Sequence, residues 1–194
     1  MKAIRNLLLA TALALAAATH AQPVVLSGVK FDDANDVRGS RLQLNGAGLR
    51  YKAVFKVYAA GLYLPKKAAS PEEVLAMPGA KRISITMLRE IDSSEFGKMF
   101  SRGMEDNMDK SAFSRLVPGV LRMSQIFSDH KKLNPGELFT IDWVPGTGTV
   151  VTVKGVQQGE PFKEPEFFNA LLRIWLGPNP ADWKLKDALL GRPA

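Results

Sequence analysis

The chain contains no cysteine, yet it opens on a segment with every mark of an export signal. A fold destined for a compartment that permits disulfides must therefore stand on its hydrophobic core alone. Lys2 and Arg5 form a positive start, Leu7 to Ala18 is apolar except for Thr11, and Thr19-His20-Ala21 supplies a small residue for cleavage before Gln22. The apolar run is shorter than the about 20 residues a membrane span requires, and no second run follows it. The expectation is a cleaved signal peptide over residues 1–21 and a soluble product, periplasmic or secreted. Membrane association is then at most peripheral.

Residues 22–194 are enough for one domain with a proper core. The formal charge of +7 falls to +5 once Lys2 and Arg5 are removed. The lysines and arginines are scattered, with pairs at Lys66-Lys67 and Lys131-Lys132 but no longer run. A nucleic-acid footprint needs basic residues clustered on one face, so nucleic acid is not an expected partner. His130 is the one histidine left after processing, in a polar Ser128-Asp129-His130-Lys131 setting. That argues against a histidine zinc site and against a Ser-His-Asp triad. Gly146-Thr147-Gly148-Thr149 lacks the Gly-Lys-Ser/Thr ending of a phosphate loop and reads as a hairpin. Glu105 and Asp106 are adjacent, hence about 100° apart on a helix, and do not form a facing acid pair. No metal and no cofactor is implied.

Strand-like stretches come first: Val24–Leu26, Val29–Phe31, and an alternating Arg41–Leu44. Asn45-Gly46-Ala47-Gly48 reads as a turn, and Tyr51 to Leu64 as one long β-rich segment. Ser70-Pro71-Glu72-Glu73 is a capping box opening a short helix, and Lys81–Leu88 returns to strand. Asp92-Ser93-Ser94-Glu95 opens a second helix that carries Phe96, Phe100, Gly103, Met104 and Asn107 at helical spacing. A third helix is expected over Pro118–Phe127, with Val120, Leu121, Ser124 and Phe127 inward. Strands at Leu138–Val144 and Val150–Val153 follow, then a short strand after Gly155. Pro165 opens an apolar helix that Gly177-Pro178 stops, and Asp182 caps a last one. The pattern predicts an α+β fold: an antiparallel sheet of about six or seven strands with helices packed on one face.

Three blocks carry a resemblance. Asn45-Gly46-Ala47-Gly48-Leu49-Arg50 leads into Phe55–Leu64, Phe100 and Asn107 stand seven apart, and Phe167–Gly177 is followed by Pro180–Gly191. In these blocks the chain resembles the chalcone isomerase family, in particular its bacterial, exported branch. The resemblance implies the chalcone isomerase-like fold and a cofactor-free site in which a guanidinium holds an anion while hydroxyls stabilise charge moving onto a ketone oxygen. Carried over, the guanidinium falls on Arg50, a strand threonine on Tyr58, a helix tyrosine on Phe100, the helix asparagine on Asn107, and a C-terminal Thr or Ser on Ile174. Phe100 and Ile174 lack the hydroxyl, which speaks against chalcone cyclisation.

What remains is one cation and two neutral donors beside aromatic walls, a set suited to an amphipathic carboxylate. Plant relatives without catalysis bind fatty acids on the same fold. The expected function is therefore non-catalytic binding of a small amphipathic anion such as a fatty acid, with Arg50, Tyr58, Phe100 and Asn107 as ligand residues. The alternatives are a cofactor-independent isomerase or intramolecular lyase, and a structural or partner-binding role. On the last reading Arg50 bonds turn carbonyls, Tyr58 and Phe100 are core, and Asn107 is a polar helix end.

Overall fold

The computed structural model describes residues 23–193. The segment read as an export signal, residues 1–21, lies outside the described residues. A small hairpin, Val24–Leu26 (β1) with Val29–Phe31 (β2), precedes Ala34–Val37 (β3), Ser40–Lys52 (β4) and Phe55–Leu64 (β5). Helix Pro71–Ala76 (α1), strand Lys81–Met87 (β6) and the two-residue strand Ile91–Asp92 (β7) follow. Helices Ser93–Glu105 (α2) and Lys110–Ser128 (α3) then lead through Lys132–Leu133 (β8) to Leu138–Val144 (β9), Gly148–Val153 (β10) and Val156–Gln157 (β11). The described chain closes with helices Pro165–Leu176 (α4) and Trp183–Leu189 (α5). Seven strands form one antiparallel sheet in the order β11-β10-β9-β6-β5-β4-β3. This is the expected α+β architecture.

The sheet has two unlike faces because side chains alternate along each strand. On β5, Tyr58, Ala60, Leu62 and Leu64 join the main core with Phe96 and Phe100 of α2, Phe127 of α3, Trp175 of α4 and Leu185 of α5. Ala59 and Tyr63 point the other way, into a smaller cluster with Phe31, Leu42 and Leu44. Gly61 lies on that second face, and the Phe31 ring occupies the space its Cβ would take, 2.6 Å away. Helix starts follow the expected chemistry. Ser70 and Glu73 form a reciprocal capping box, and Asp92 accepts from the amides of Ser94 and Glu95.

The segment Asn45–Gly48 is not a turn. It lies inside β4, which bulges between Leu44 and Gly46 so that Asn45 is the extra residue. The Asn45 side chain donates to the carbonyls of Ala68 (3.0 Å) and Leu189 (2.7 Å) and accepts from Ala68 N (2.8 Å). Gly46 and Gly48 leave room for α5: a Cβ on Gly46 would sit 2.0 Å from Ala188 O, and one on Gly48 2.7 Å from Ala188 Cβ. The bulge also inverts the alternation. Leu42 and Leu44 face the smaller cluster, whereas Gly46, Gly48 and Arg50 face the helices. A one-residue shift is what delivers Arg50 to the helix-covered side.

Two further boundaries differ from the sequence expectation. The real turn is at Ala53-Val54, closing a hairpin between Lys52 and Phe55, so the segment Tyr51–Leu64 is split between two strands. Helix α3 starts at Lys110 and runs through Pro118. Its phase is set by buried Leu116, Val120, Met123 and Phe127, which leaves Leu121 65% exposed rather than inward. The rule that proline opens a helix failed here because the helix was already two turns long when it met Pro118.

Candidate functional site

Arg50 and Tyr58 are direct cross-strand partners on β4 and β5, and Tyr58 in turn pairs with Met87 on β6. Side chains at paired positions share a face of the sheet. Tyr58 is 4% exposed and packs edge-on against Phe96, with ring centroids 6.3 Å apart. Its hydroxyl oxygen accepts a 2.9 Å hydrogen bond from Trp175 Nε1. Burial pushes the Tyr58 phenol up to about 12, against the opposing pulls of the Trp175 bond and the Arg50 charge. At neutral pH it is a protonated phenol. No group among the described residues accepts its proton.

Two adjoining cavities share Arg50, Tyr58 and Met99 as walls. The first, about 180 Å³, is rimmed by Lys52, Arg89 and the acidic side chains of Glu90, Asp92 and Glu95. The second, about 220 Å³, is more apolar and runs along α2 past Phe96, Phe100 and Gly103 to Ile174 and Ala181. Behind them the interior is filled by rings. Phe100 lies within 5.0–6.1 Å, centroid to centroid, of Phe96, Phe127, Phe139 and Trp175. Phe100 is thus both core and cleft wall. Arg50 forms no ion pair within 4 Å among the described residues, so its charge is left to the cleft.

The structure brings Arg50, Tyr58 and Phe100 together and leaves Asn107 out. Asn107 lies just past the end of α2, and its amide is committed to backbone: Nδ2 donates to Gly103 O (2.8 Å) and Asn179 O (2.9 Å), and Oδ1 accepts from Asn179 N (2.8 Å). The expectation that Asn107 offers its amide to a ligand is corrected on that ground: it fastens α2 to the loop after α4. The space beside Gly103 is taken up in part by Ile174 of α4, whose Cγ2 lies 3.0 Å from the position of a Cβ there.

In the sequence, Trp175 is one more apolar residue of the helix after Pro165 and carries no mark of a site. Only the fold reveals that its indole reaches Tyr58, 117 residues away. Met99 and the Pro180-Ala181 wall carry no sequence signal either: Met99 reads as ordinary helix surface, and the loop has no pattern to mark it. His130 is partly exposed, 3.4 Å from Gln158 Oε1, and Glu105 and Asp106 are both exposed. Among the described residues no cluster of metal-ligating side chains occurs.

Among solved structures, a fatty-acid binding protein of Arabidopsis thaliana shares this architecture, with a TM-score of 0.71 over 87% of this chain and 96% of that one. The two are 18% identical, a likeness of fold. No curated protein matches the chain. A family model described as chalcone isomerase-like matches residues 23–191, which is essentially the whole described domain: the chain belongs to the chalcone isomerase-like family.

Proposed function

We propose that this protein is an exported, non-catalytic binder of a small amphipathic anion, with a fatty acid as the leading class. The observation that carries the reading is the donor pair at the cleft. Tyr58 is buried and accepts from Trp175; among the described residues its proton has no acceptor and Arg50 beside it has no carboxylate partner. A carboxylate placed between them would take the phenol proton as a hydrogen-bond donor and the guanidinium as a charged fork. The apolar wall of Phe96, Met99, Phe100 and Ile174 would lie along the start of its chain.

The non-catalytic reading is supported by the residues that would have to do chemistry. Phe100 and Ile174 stand where the family resemblance implies hydroxyls, and both face the cleft without one. Tyr58, held up at about 12, is no base near neutral pH. The fatty-acid binding role named for the Arabidopsis protein of the same fold points the same way.

The test is calorimetric titration with decanoate, which is soluble as a monomer. Wild type should bind, and Tyr58→Phe should bind about tenfold or more weakly, the range for losing a hydrogen bond to a charged group. Wild type that fails to bind decanoate and longer soluble analogues, or a Tyr58→Phe variant that binds as tightly, would end this reading.

A further inference from the structure

The β4–β5 hairpin ends in an unusual tip. Among the described residues, three other two-residue hairpin turns carry glycine at the second position: Ser27-Gly28, Arg38-Gly39 and Lys154-Gly155, each with both residues at positive φ. Such turns favour glycine there for its conformational freedom. The β4–β5 turn is Ala53-Val54, and only Ala53 of that pair has positive φ, at 52°. The glycine position is taken by a valine that is 82% exposed, and the next residue, Phe55, is 59% exposed. Neither is needed for the core. An apolar pair at the outermost point of a two-residue turn is surface that water does not favour.

Cations surround the pair. Lys52 and Lys56 flank it in sequence and are both exposed, and the Arg89 guanidinium lies over the Phe55 ring, 5.2 Å from its centroid. The nearby acids are largely engaged elsewhere. Glu90 pairs with Lys132 at 2.6 Å and Asp92 caps α2, which leaves exposed Glu95 on the wall of the first cavity. The same cations belong to the cleft: Lys52 and Arg89 rim the cavity that Arg50 and Tyr58 line. Apolar side chains at a protruding point, ringed by basic ones, are complementary to a bilayer with anionic headgroups.

We propose that the Val54-Phe55 tip docks this protein on anionic lipid surfaces, Phe55 and Val54 entering the headgroup boundary and Lys52, Lys56 and Arg89 pairing with lipid phosphates. Docking sets the cleft mouth against the membrane, so that an amphipathic anion passes between bilayer and Arg50 without crossing open water. The second half of this inference rests on the binding function proposed above; the docking itself does not.

Co-sedimentation of the mature protein with vesicles tests it. Vesicles of phosphatidylcholine mixed with phosphatidylglycerol should pellet wild type, pure phosphatidylcholine should not, and added salt should release it. Phe55→Ser should weaken pelleting by roughly tenfold or more, and Lys56→Ser by roughly fivefold. Both positions are exposed, so unchanged thermal melts should accompany these losses. Phe55→Ser should still bind soluble decanoate as wild type does, whereas Arg50→Ala should lose decanoate and keep most of its docking. Wild type that ignores anionic vesicles, pellets equally with neutral ones, or keeps its docking in Phe55→Ser overturns the proposal. So does a wild type that dimerises through the tip, becomes monomeric as Phe55→Ser, and shows no vesicle binding. A wild type that docks on anionic vesicles but does not bind decanoate would instead count against the cleft reading alone.

Discussion

Trp175 Nε1 donates to the Tyr58 hydroxyl at 2.9 Å, joining α4 to the centre of the sheet. An incoming N–H excludes the phenol proton from that side, so the bond orients the proton as well as fixing the ring. Trp175→Phe should therefore cost about 1 kcal/mol for the hydrogen bond and somewhat more for the lost ring volume. It should also weaken decanoate binding although Trp175 is not a cleft wall. Thermal melts and calorimetry on one variant give both numbers. A variant that melts lower but binds as tightly as wild type would show that the indole packs without orienting Tyr58.

Arg50 sits on a face rather than in a turn, and its lack of an ion-pair partner among the described residues separates two roles. Arg50→Ala should weaken binding of a soluble carboxylate by about 1.5–3 kcal/mol with little change in the ligand-free melt. Arg50→Lys should recover only part, because an ammonium keeps the charge without the planar fork. A large fall in the ligand-free melting temperature of Arg50→Ala would mean that the guanidinium is structural after all.

Much of this arrangement was legible because it is local. The Ser70 and Asp92 caps, the alternation in β6 and the apolar face of α4 each follow from neighbours within a few residues. An antiparallel sheet of six or seven strands with helices on one face follows from the order of the elements, and the structure has seven. Two of the misreadings share one cause. Asn45-Gly46-Ala47-Gly48 has the composition of a turn, but its glycines answer to Ala188 and Leu185, about 140 residues on. Asn107 likewise shares a helix face with Phe100 by spacing alone, and only Asn179, 72 residues away, shows where its amide is engaged.

The two glycines of β4 give a graded prediction. A Cβ on Gly48 meets Ala188 Cβ at 2.7 Å and Leu185 Cδ1 at 3.0 Å; the leucine end can rotate away, and the alanine needs only a small shift of α5. On Gly46 it meets backbone oxygens of Ala188 and Leu189 at 2.0 and 2.9 Å, which cannot yield without moving α5. Gly48→Ala should cost about 1–3 kcal/mol, the usual range for overpacking, and Gly46→Ala more. Urea unfolding measures both. Equal and negligible costs would restore the turn reading of this segment.

Asn107 and Gly177 should behave as one unit. Asn107→Ala removes three hydrogen bonds and leaves Asn179 N–H without its acceptor, a loss of about 2–4 kcal/mol. Gly177→Ala places a Cβ 2.2 Å from Asn107 Oδ1 and 2.5 Å from Arg173 O, and is destabilising as well. Because part of the second clash is with the side chain the first variant removes, the double variant should be less unstable than the two losses added together. Strict additivity in urea unfolding would contradict the contact.

Alkaline pH should unfold this protein early, and the tyrosines say where. Tyr58 and Tyr63 both lie at about 12 against an ordinary 10.0, burial being the largest cause for each. A raised phenol pKa means that the folded state keeps a proton the unfolded chain has already released. Stability from these two groups is therefore fully present below about pH 10 and is lost as pH rises from about 10 to about 12. At about 1.4 kcal/mol per pKa unit, the pair together removes on the order of 5 kcal/mol. Lys81 acts oppositely: burial lowers its pKa from 10.5, so the folded state sheds that proton first and gains stability with pH below 10.5. The lysine acts below pH 10.5 and the tyrosines above about pH 10, so the fall belongs to the upper window. Urea midpoints should not fall between pH 8 and pH 10; from pH 10 to pH 11 they should decline for wild type and decline less steeply for Tyr63→Phe, whose ring stays buried without an ionisable group. A wild-type midpoint that holds level to pH 11 would show that neither phenol is shielded as the packing of Tyr58 and Tyr63 requires.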